Sequence, residues 1–329
     1  MRKQINFFVR KPYVLGNFSI ENFYKTLKKN LDLDFDIKVV EMPFFSRGII
    51  SRLLNCCYCF FNQGDINHVI GDIHYVAIFL KRDKTILTIL DCISLYEENK
   101  LKRLFYKYFW FVFPIKTTKH ITFISEFSKF DTERLLKLKL PKSLVIGVTA
   151  SEVFTYCKLP KNKTPNILQV GTNLNKNIKT LAFSLRDLNI ELVIIGKLKI
   201  SDKDLLIKNK INYTEIDKPL SIQEVYQYYQ RADLITFLST YEGFGLPILE
   251  SNIVGRPVIT SNIGCMPEVA GNAAILVNPY DNLKIKEAIV KALNDNDFVN
   301  SLIDNGFKNS HRFTPKKISS EYSKLYNRI

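Results

Sequence analysis

The chain has 329 residues, enough for two domains of ordinary size, and its 46% apolar and 24% charged residues exclude a disordered polymer. Its formal charge of +15, of which residues 1–160 carry +10, points to anionic partners: phosphates, nucleic acid or an acidic membrane leaflet. No run of eighteen apolar residues occurs and the apolar start is only strand-length, so neither a transmembrane helix nor a signal peptide is expected.

Residues 5–10 read as a first strand. A loop with Gly16 follows, and then a helix that Ser19 would cap. Residues 35–40 read as a second strand, and 48–61 as an apolar helix holding Cys56, Cys57 and Cys59. With Cys92, Cys157 and Cys265 these make six cysteines but no second pair at zinc spacing, so buried free thiols in a reducing compartment are expected. Residues 65–72 read as a third strand and turn, and 84–90 as a fourth strand with Asp91 at its C-terminal tip. Such tips are where open α/β sheets bind ligands.

Residues 100–119 carry six basic residues and no acid, interleaved with aromatics. Two readings stand side by side. One is a membrane-interface helix whose Phe109, Trp110 and Phe111 insert among lipids. The other is a domain helix with one buried aromatic stripe. Residues 120–125 read as a strand with Ser125 at its tip, followed by a helix to 138, and 142–148 as the last strand of the domain. Two prolines and three lysines among residues 157–165 read as an interdomain linker, which sets the domains at 1–160 and 161–329.

The second domain opens with a strand over 166–170, then Thr172 and the pair Lys176-Asn177 before a helix. Lys176 suits a phosphate point charge; its bland reading is a solvated loop lysine, and its place just after a strand and turn favours the phosphate. Residues 191–195 form a strand ending at Gly196; 213–217 is a short strand, and 222–231 a tyrosine-rich helix. Residues 234–238 form a buried strand. Glu242-Gly-Phe-Gly-Leu-Pro follows, with Pro247 at a helix start and Glu250 eight positions after Glu242. Gly243 and Gly245 free the backbone for close approach of a ligand. Gly255 ends the helix, and 257–260 is the next strand. Strand, glycine loop, helix and strand together aim a helix N-terminus at an anion. Helices over 283–293 and from 313 onward complete the chain.

The stretch from Glu242 to Glu250, continued by Gly-Arg-Pro-Val-Ile-Thr260, Met266-Pro-Glu-Val-Ala-Gly271 and Ala274-Ile-Leu-Val-Asn-Pro279, resembles the E-x7-E signature of retaining glycosyltransferases of family 4. The resemblance implies an α/β GT-B fold: two Rossmann-like, doubly wound domains facing a cleft, with the last helix crossing back to the first domain. It implies transfer of a sugar from a nucleotide-diphosphate sugar to a glycan or lipid-linked acceptor in surface-polysaccharide synthesis, with no metal and no other cofactor. Lys176, Gly243, Phe244, Gly245, Leu246, Thr172 and Gly196 would hold the donor, and Glu250 its ribose diol. Glu242 and Asp91 would be catalytic, orienting groups rather than forming a covalent intermediate. Gly16 and Ser125 would face the acceptor. Relatives commonly have His-Asp where this chain has Leu90-Asp91, and His68 and His74 are the nearest substitutes.

The enzyme is expected in the cytoplasm, at the inner face of an anionic membrane. A nucleotide-sugar isomerase or hydrolase on the same fold is the alternative. A basic nucleic-acid-binding protein ranks last, because no nucleic-acid-binding signature accompanies the charge.

Overall fold

The computed structural model describes residues 2–12, 19–31, 33–160 and 162–329. The chain forms two compact units, Met1–Thr149 with Pro315–Ile329, and Ala150–Thr314.

The first unit contains β1 (Gln4–Val9), α1 (Ser19–Leu31), β2 (Asp36–Glu41), α2 (Ile49–Phe61), β3 (Ile66–Ile70) and β4 (Thr85–Ile89). It continues with α3 (Lys100–Phe105), α4 (Phe113–Thr117), β5 (His120–Phe123), α5 (Glu126–Leu136) and β6 (Leu144–Val145). The strands run parallel in the order β2-β1-β3-β4-β5-β6. β3 and β4 are buried at every position, as strands covered by helices on both faces must be. Phe8, Val69, Leu87, Phe123 and Trp110 belong to one core.

Between α3 and α4, residues 106–112 widen to π pitch, so 100–117 is one helical stretch. An α-helix turns about 100° per residue, which spreads three consecutive side chains over much of its girth. The wider turn buries Trp110, Phe111 and Val112 in succession. Trp110 and Phe111, expected at a membrane surface on one reading, are therefore core residues, 4% and 1% exposed. Phe109 remains exposed.

The second unit contains β7 (Asn166–Val170), α6 (Ile178–Ser184), β8 (Glu191–Ile195), α7 (Ile200–Lys208), β9 (Tyr213–Ile216), α8 (Ile222–Arg231) and β10 (Leu234–Phe237). After these come α9 (Leu246–Val254), β11 (Val258–Ser261), α10 (Met266–Ala270), β12 (Ile275–Val277), α11 (Asn282–Asn294) and α12 (Asn296–Ser310). The parallel order is β12-β11-β10-β7-β8-β9. Residues 157 and 158, read in the sequence as linker, are pinned in this unit by Arg256, which is 1% exposed. Its guanidinium donates to the carbonyls of Cys157 (2.7 Å) and Lys158 (3.1 Å), and to those of Tyr229 and Gln230 at the end of α8 (both 2.9 Å).

The last helix, α13 (Pro315–Asn327), lies with the first unit and packs on α1. Tyr322 and Tyr326 enter the core there, and the Tyr326 hydroxyl sits 2.7 Å from His68 Nδ1.

In each sheet the strand order reverses direction beside the unit's first strand, between β1 and β3 and between β7 and β10. Loops leaving such a reversal go to opposite faces and open a crevice at the strand tips.

Candidate functional site

In the second unit the reversal between β7 and β10 gathers residues far apart in sequence. Lys176 leaves the loop after β7 and Glu242 the loop after β10; Nζ and Oε1 are 2.7 Å apart. Asn175 Nδ2 donates to the same Oε1 at 2.9 Å and to Tyr241 O at 2.9 Å. The Thr240 N–H donates to Asn175 O at 2.8 Å, so the two loops are laced together. The Lys176 ammonium lies 4.6 Å from the centre of the Phe237 ring, at the end of β10. A cation on an aromatic face gains about 0.5–2 kcal/mol and keeps its remaining donors free.

Two glycines allow this geometry. Gly171 ends β7 at φ 89°, and a Cβ there would come within 2.9 Å of Lys176 Cε. Gly245 stands at φ 98° directly before α9, and a Cβ there would meet the Phe237 ring at 3.2 Å. Gly243, read with it as conformationally permissive, does not take a positive φ. The Cys265 thiol donates to Glu242 O (3.2 Å) and Phe244 O (3.1 Å), fixing the loop from below. Phe244 turns its ring into the core, edge-on to Phe313 at 5.1 Å, so only its backbone serves the loop. No side chain caps α9, and the positive end of its dipole favours negative charge there.

Glu250 lies in α9, with Leu246 at the helix start. The buried Tyr229 of α8 donates its hydroxyl to Glu250 Oε2 at 2.6 Å. Burial pushes the Glu250 carboxyl up to about 7, against the lowering effects of the Tyr229 hydrogen bond and the Lys176 charge. Lys176 thus acts electrostatically on both carboxylates of the motif. Thr172 and Gly196 adjoin on the neighbouring strand tips: Thr172 Oγ1 donates to Lys197 O at 2.7 Å, and a Cβ on Gly196 would lie 3.0 Å from that hydroxyl. Tyr229, Asn175 and Phe237 were not singled out from the sequence, and Cys265 was read there only as a buried free thiol. Asn175 alone had a signal, its place beside Lys176.

In the first unit a cavity of about 460 Å³ opens at the tips of β1, β3 and β4. Arg10, Lys11, Asp72, Asp91, Arg52 and Trp110 are among its lining residues. Asp91 Oδ1 accepts the Ile93 N–H at 3.0 Å, which shapes the turn after β4. Arg10 pairs with Glu21 at 3.2 Å, and Trp110 Nε1 donates to Asp72 at 3.3 Å. Ser125 is fully buried and caps α5, accepting the Ser128 N–H at 3.0 Å. Gly16 lies outside the described residues. His68 is wholly enclosed between the Tyr326 hydroxyl and Thr88 Oγ1 (2.6 Å), and burial lowers it to about 3. It is a neutral core histidine. His74, also buried, lines the cavity and bonds the Trp110 carbonyl at 3.1 Å through Nδ1. Burial lowers its pKa, against the opposing charge of Asp72. Among the described residues no cluster of His, Cys, Asp and Glu has the makings of a metal site. No helix among them is long and apolar enough to cross a membrane.

Residues 158–309 match the family described as "Glycosyl transferases group 1". An uncharacterised glycosyltransferase of Methanocaldococcus jannaschii is 24% identical over 158 residues, 47% of this chain and 45% of that protein. The O-antigen chain mannosyltransferase B of Escherichia coli is 33% identical over 98 residues, 30% of this chain and 26% of that protein. The chain thus spans less than half the length of these curated relatives. Among solved structures, a glycosyltransferase from Rickettsia africae superposes with a TM-score of 0.75 at 17% identity, covering 99% of this chain and 98% of the other. An Anabaena protein, HepE, solved with UDP and glucose, superposes at 0.73 and 12% identity, covering 99% and 100%. The structural likenesses show the fold, two parallel six-stranded α/β units of the GT-B class, and the family match falls on the second unit.

Proposed function

We propose that the chain is a retaining glycosyltransferase, moving a sugar from a nucleotide-diphosphate sugar to a glycan or lipid-linked acceptor in cell-surface polysaccharide synthesis. One observation carries the reading. At the reversal of the second sheet, beside the uncapped end of α9, a lysine 2.7 Å from Glu242 also lowers the charge cost of Glu250. A diphosphate flanked by two sugars needs this pattern: a cation for the phosphates and a carboxylate for the hydroxyls on either side.

Lys176 has three donors, so it can keep Glu242 and still reach a phosphate oxygen. With the α9 dipole and the amides of Gly243 to Leu246 it would neutralise the departing diphosphate, a task that then needs no metal. Glu250 would accept the ribose hydroxyls, and Glu242 would orient a hydroxyl of the transferred sugar. Thr172 and Gly196 border the nucleotide. Asp91, on the first unit's cavity, would orient the acceptor there. The bond from the anomeric carbon to the diphosphate breaks as the acceptor oxygen bonds on the same face, and the acceptor proton leaves with the phosphate. The relatives' names support the polysaccharide setting, and the UDP and glucose held by the Anabaena protein support a nucleotide-sugar donor. The setting that follows is cytoplasmic, at the inner face of a membrane carrying the acceptor.

Incubation with a nucleotide-sugar panel and an oligosaccharide acceptor tests this. Expected are a glycosylated acceptor with the donor's anomeric configuration, by NMR, and undiminished yield in chelator. Inverted product would end the retaining reading. Free sugar formed equally without acceptor would make the chain a nucleotide-sugar hydrolase.

A further inference from the structure

Beside the cavity, whose wall includes Arg47, Arg52 and Trp110, and away from the donor site, the first unit shows water a face that a surface helix does not ordinarily show. α2 packs Asn55, Cys56 and Cys59 inward. Its outward side is Ile49, Ile50, Leu53, Leu54, Phe60 and Phe61, with Ile50 75% and Phe61 81% exposed. The only charged residue in the helix, Arg52, is half-buried. A helix lying on a core ordinarily turns polar residues outward, and contiguous exposed apolar surface of this kind marks a contact with something apolar.

The charge beside it indicates what that is. The Arg52 guanidinium spans the gap to the helical stretch 100–117, lying 4.9 Å from the Phe105 ring and 5.0 Å from the Trp110 ring. That stretch exposes Leu101, Leu104 and Phe109 alongside Lys102 and Arg103. Residues 42–61 and 100–119 together hold eight basic residues and no acid. Like charge of this density repels a second copy of the same surface and attracts an anionic one.

We propose that α2 and the 100–117 stretch form one lipid-facing surface. α2 lies in the plane of an anionic bilayer, its apolar side at the boundary of headgroups and acyl chains. Arg47, Lys102 and Arg103 meet the lipid phosphates. The insertion element is thus α2, and the aromatic stretch around Trp110 serves as its packed support and cationic rim. An in-plane helix of 13 residues with aromatic residues at one end suits this depth. The surface suits a lipid-linked acceptor, but it stands apart from the donor chemistry and is tested apart from it.

The test is co-sedimentation of the full chain with phosphatidylcholine vesicles, with and without phosphatidylglycerol. Two triple variants accompany the parent: Ile50→Ser with Leu54→Ser and Phe61→Ser, and Lys102→Gln with Arg103→Gln and Lys107→Gln. The parent is expected to bind the anionic vesicles at least about tenfold more tightly than the neutral ones. Each triple variant is expected to lose about tenfold or more, and the charge variant also to lose most of the salt dependence. Unchanged melting temperatures and nucleotide response in both variants would keep the loss specific to the surface. The proposal is overturned if the parent ignores anionic vesicles, or if the apolar variant binds like the parent. It is also overturned if sedimentation velocity without lipid shows a dimer that the apolar variant abolishes, because a second copy then covers the face.

Discussion

Glu250 is held in the free protein at an energetic cost. Its carboxyl ordinarily titrates near 4.5 and is pushed up to about 7 by burial. Between those values the native state keeps a proton that the unfolded state has released, so stability falls as pH rises through this window. The fall amounts to about 3 kcal/mol at the top of it. Glu250→Gln removes the cost. The variant should be more stable than the parent at about pH 8, and lose most of that advantage at about pH 5, in denaturant titrations. The same change should weaken nucleoside diphosphate binding by ~1.5–3 kcal/mol, the range for a hydrogen bond to a charged group. A variant with parental affinity would take Glu250 out of the donor site. Glu242, Glu250 and Lys176 were legible in the sequence because a dense local motif carries the two acids and a strand end precedes the lysine. Tyr229, Phe237 and Asn175 were not. Their roles exist only through pairing across the fold: Tyr229 reaches Glu250 21 positions away, and Asn175 reaches Glu242 67 positions away.

At the scale of elements, the site is a matter of strand ends. Gly171 closes β7 with a positive φ in the space that Lys176 needs. Gly171→Ala should therefore cost about 1–2 kcal/mol in stability from the backbone alone, and should also push the lysine off the Phe237 ring. Diphosphate affinity should fall further than stability explains, measured by calorimetry on the folded variant; a stability loss with full affinity would show that the lysine does not depend on the turn. The strands themselves were readable, since runs such as 85–89 and 234–237 are buried on both faces and so hold only apolar residues and threonine. α7 and α12 went unread: α7 bunches Leu205, Leu206 and Ile207 instead of spacing them along one face, and α12, although Val299, Leu302 and Ile303 recur at helical spacing, is mostly polar. The stretch 100–117 left two readings open, and the structure divides them. Its π segment buries Trp110 and Phe111, while α3 and Phe109 stay outside.

For the whole molecule, composition pointed to two domains and an anionic partner; the structure has two units, and the sheets give each a crevice beside its first strand. The return of α13 to the first unit rests on Tyr322 and Tyr326, whose burial against His68 no local pattern announces. The central claim is that the second unit binds a nucleotide-diphosphate sugar through Lys176. The most direct measurement is a thermal-shift panel of nucleosides, nucleoside diphosphates and nucleotide sugars on the parent and on Lys176→Met. A ligand that binds only the native state at a hundred times its Kd adds about 2.7 kcal/mol, enough to raise the melting temperature by several degrees. The account predicts that at least one nucleoside diphosphate and its sugar derivative raise the parent's melting temperature. Lys176→Met should lose most of that shift, while any response to the bare nucleoside persists. No shift with any diphosphate, or equal shifts in parent and variant, would contradict it.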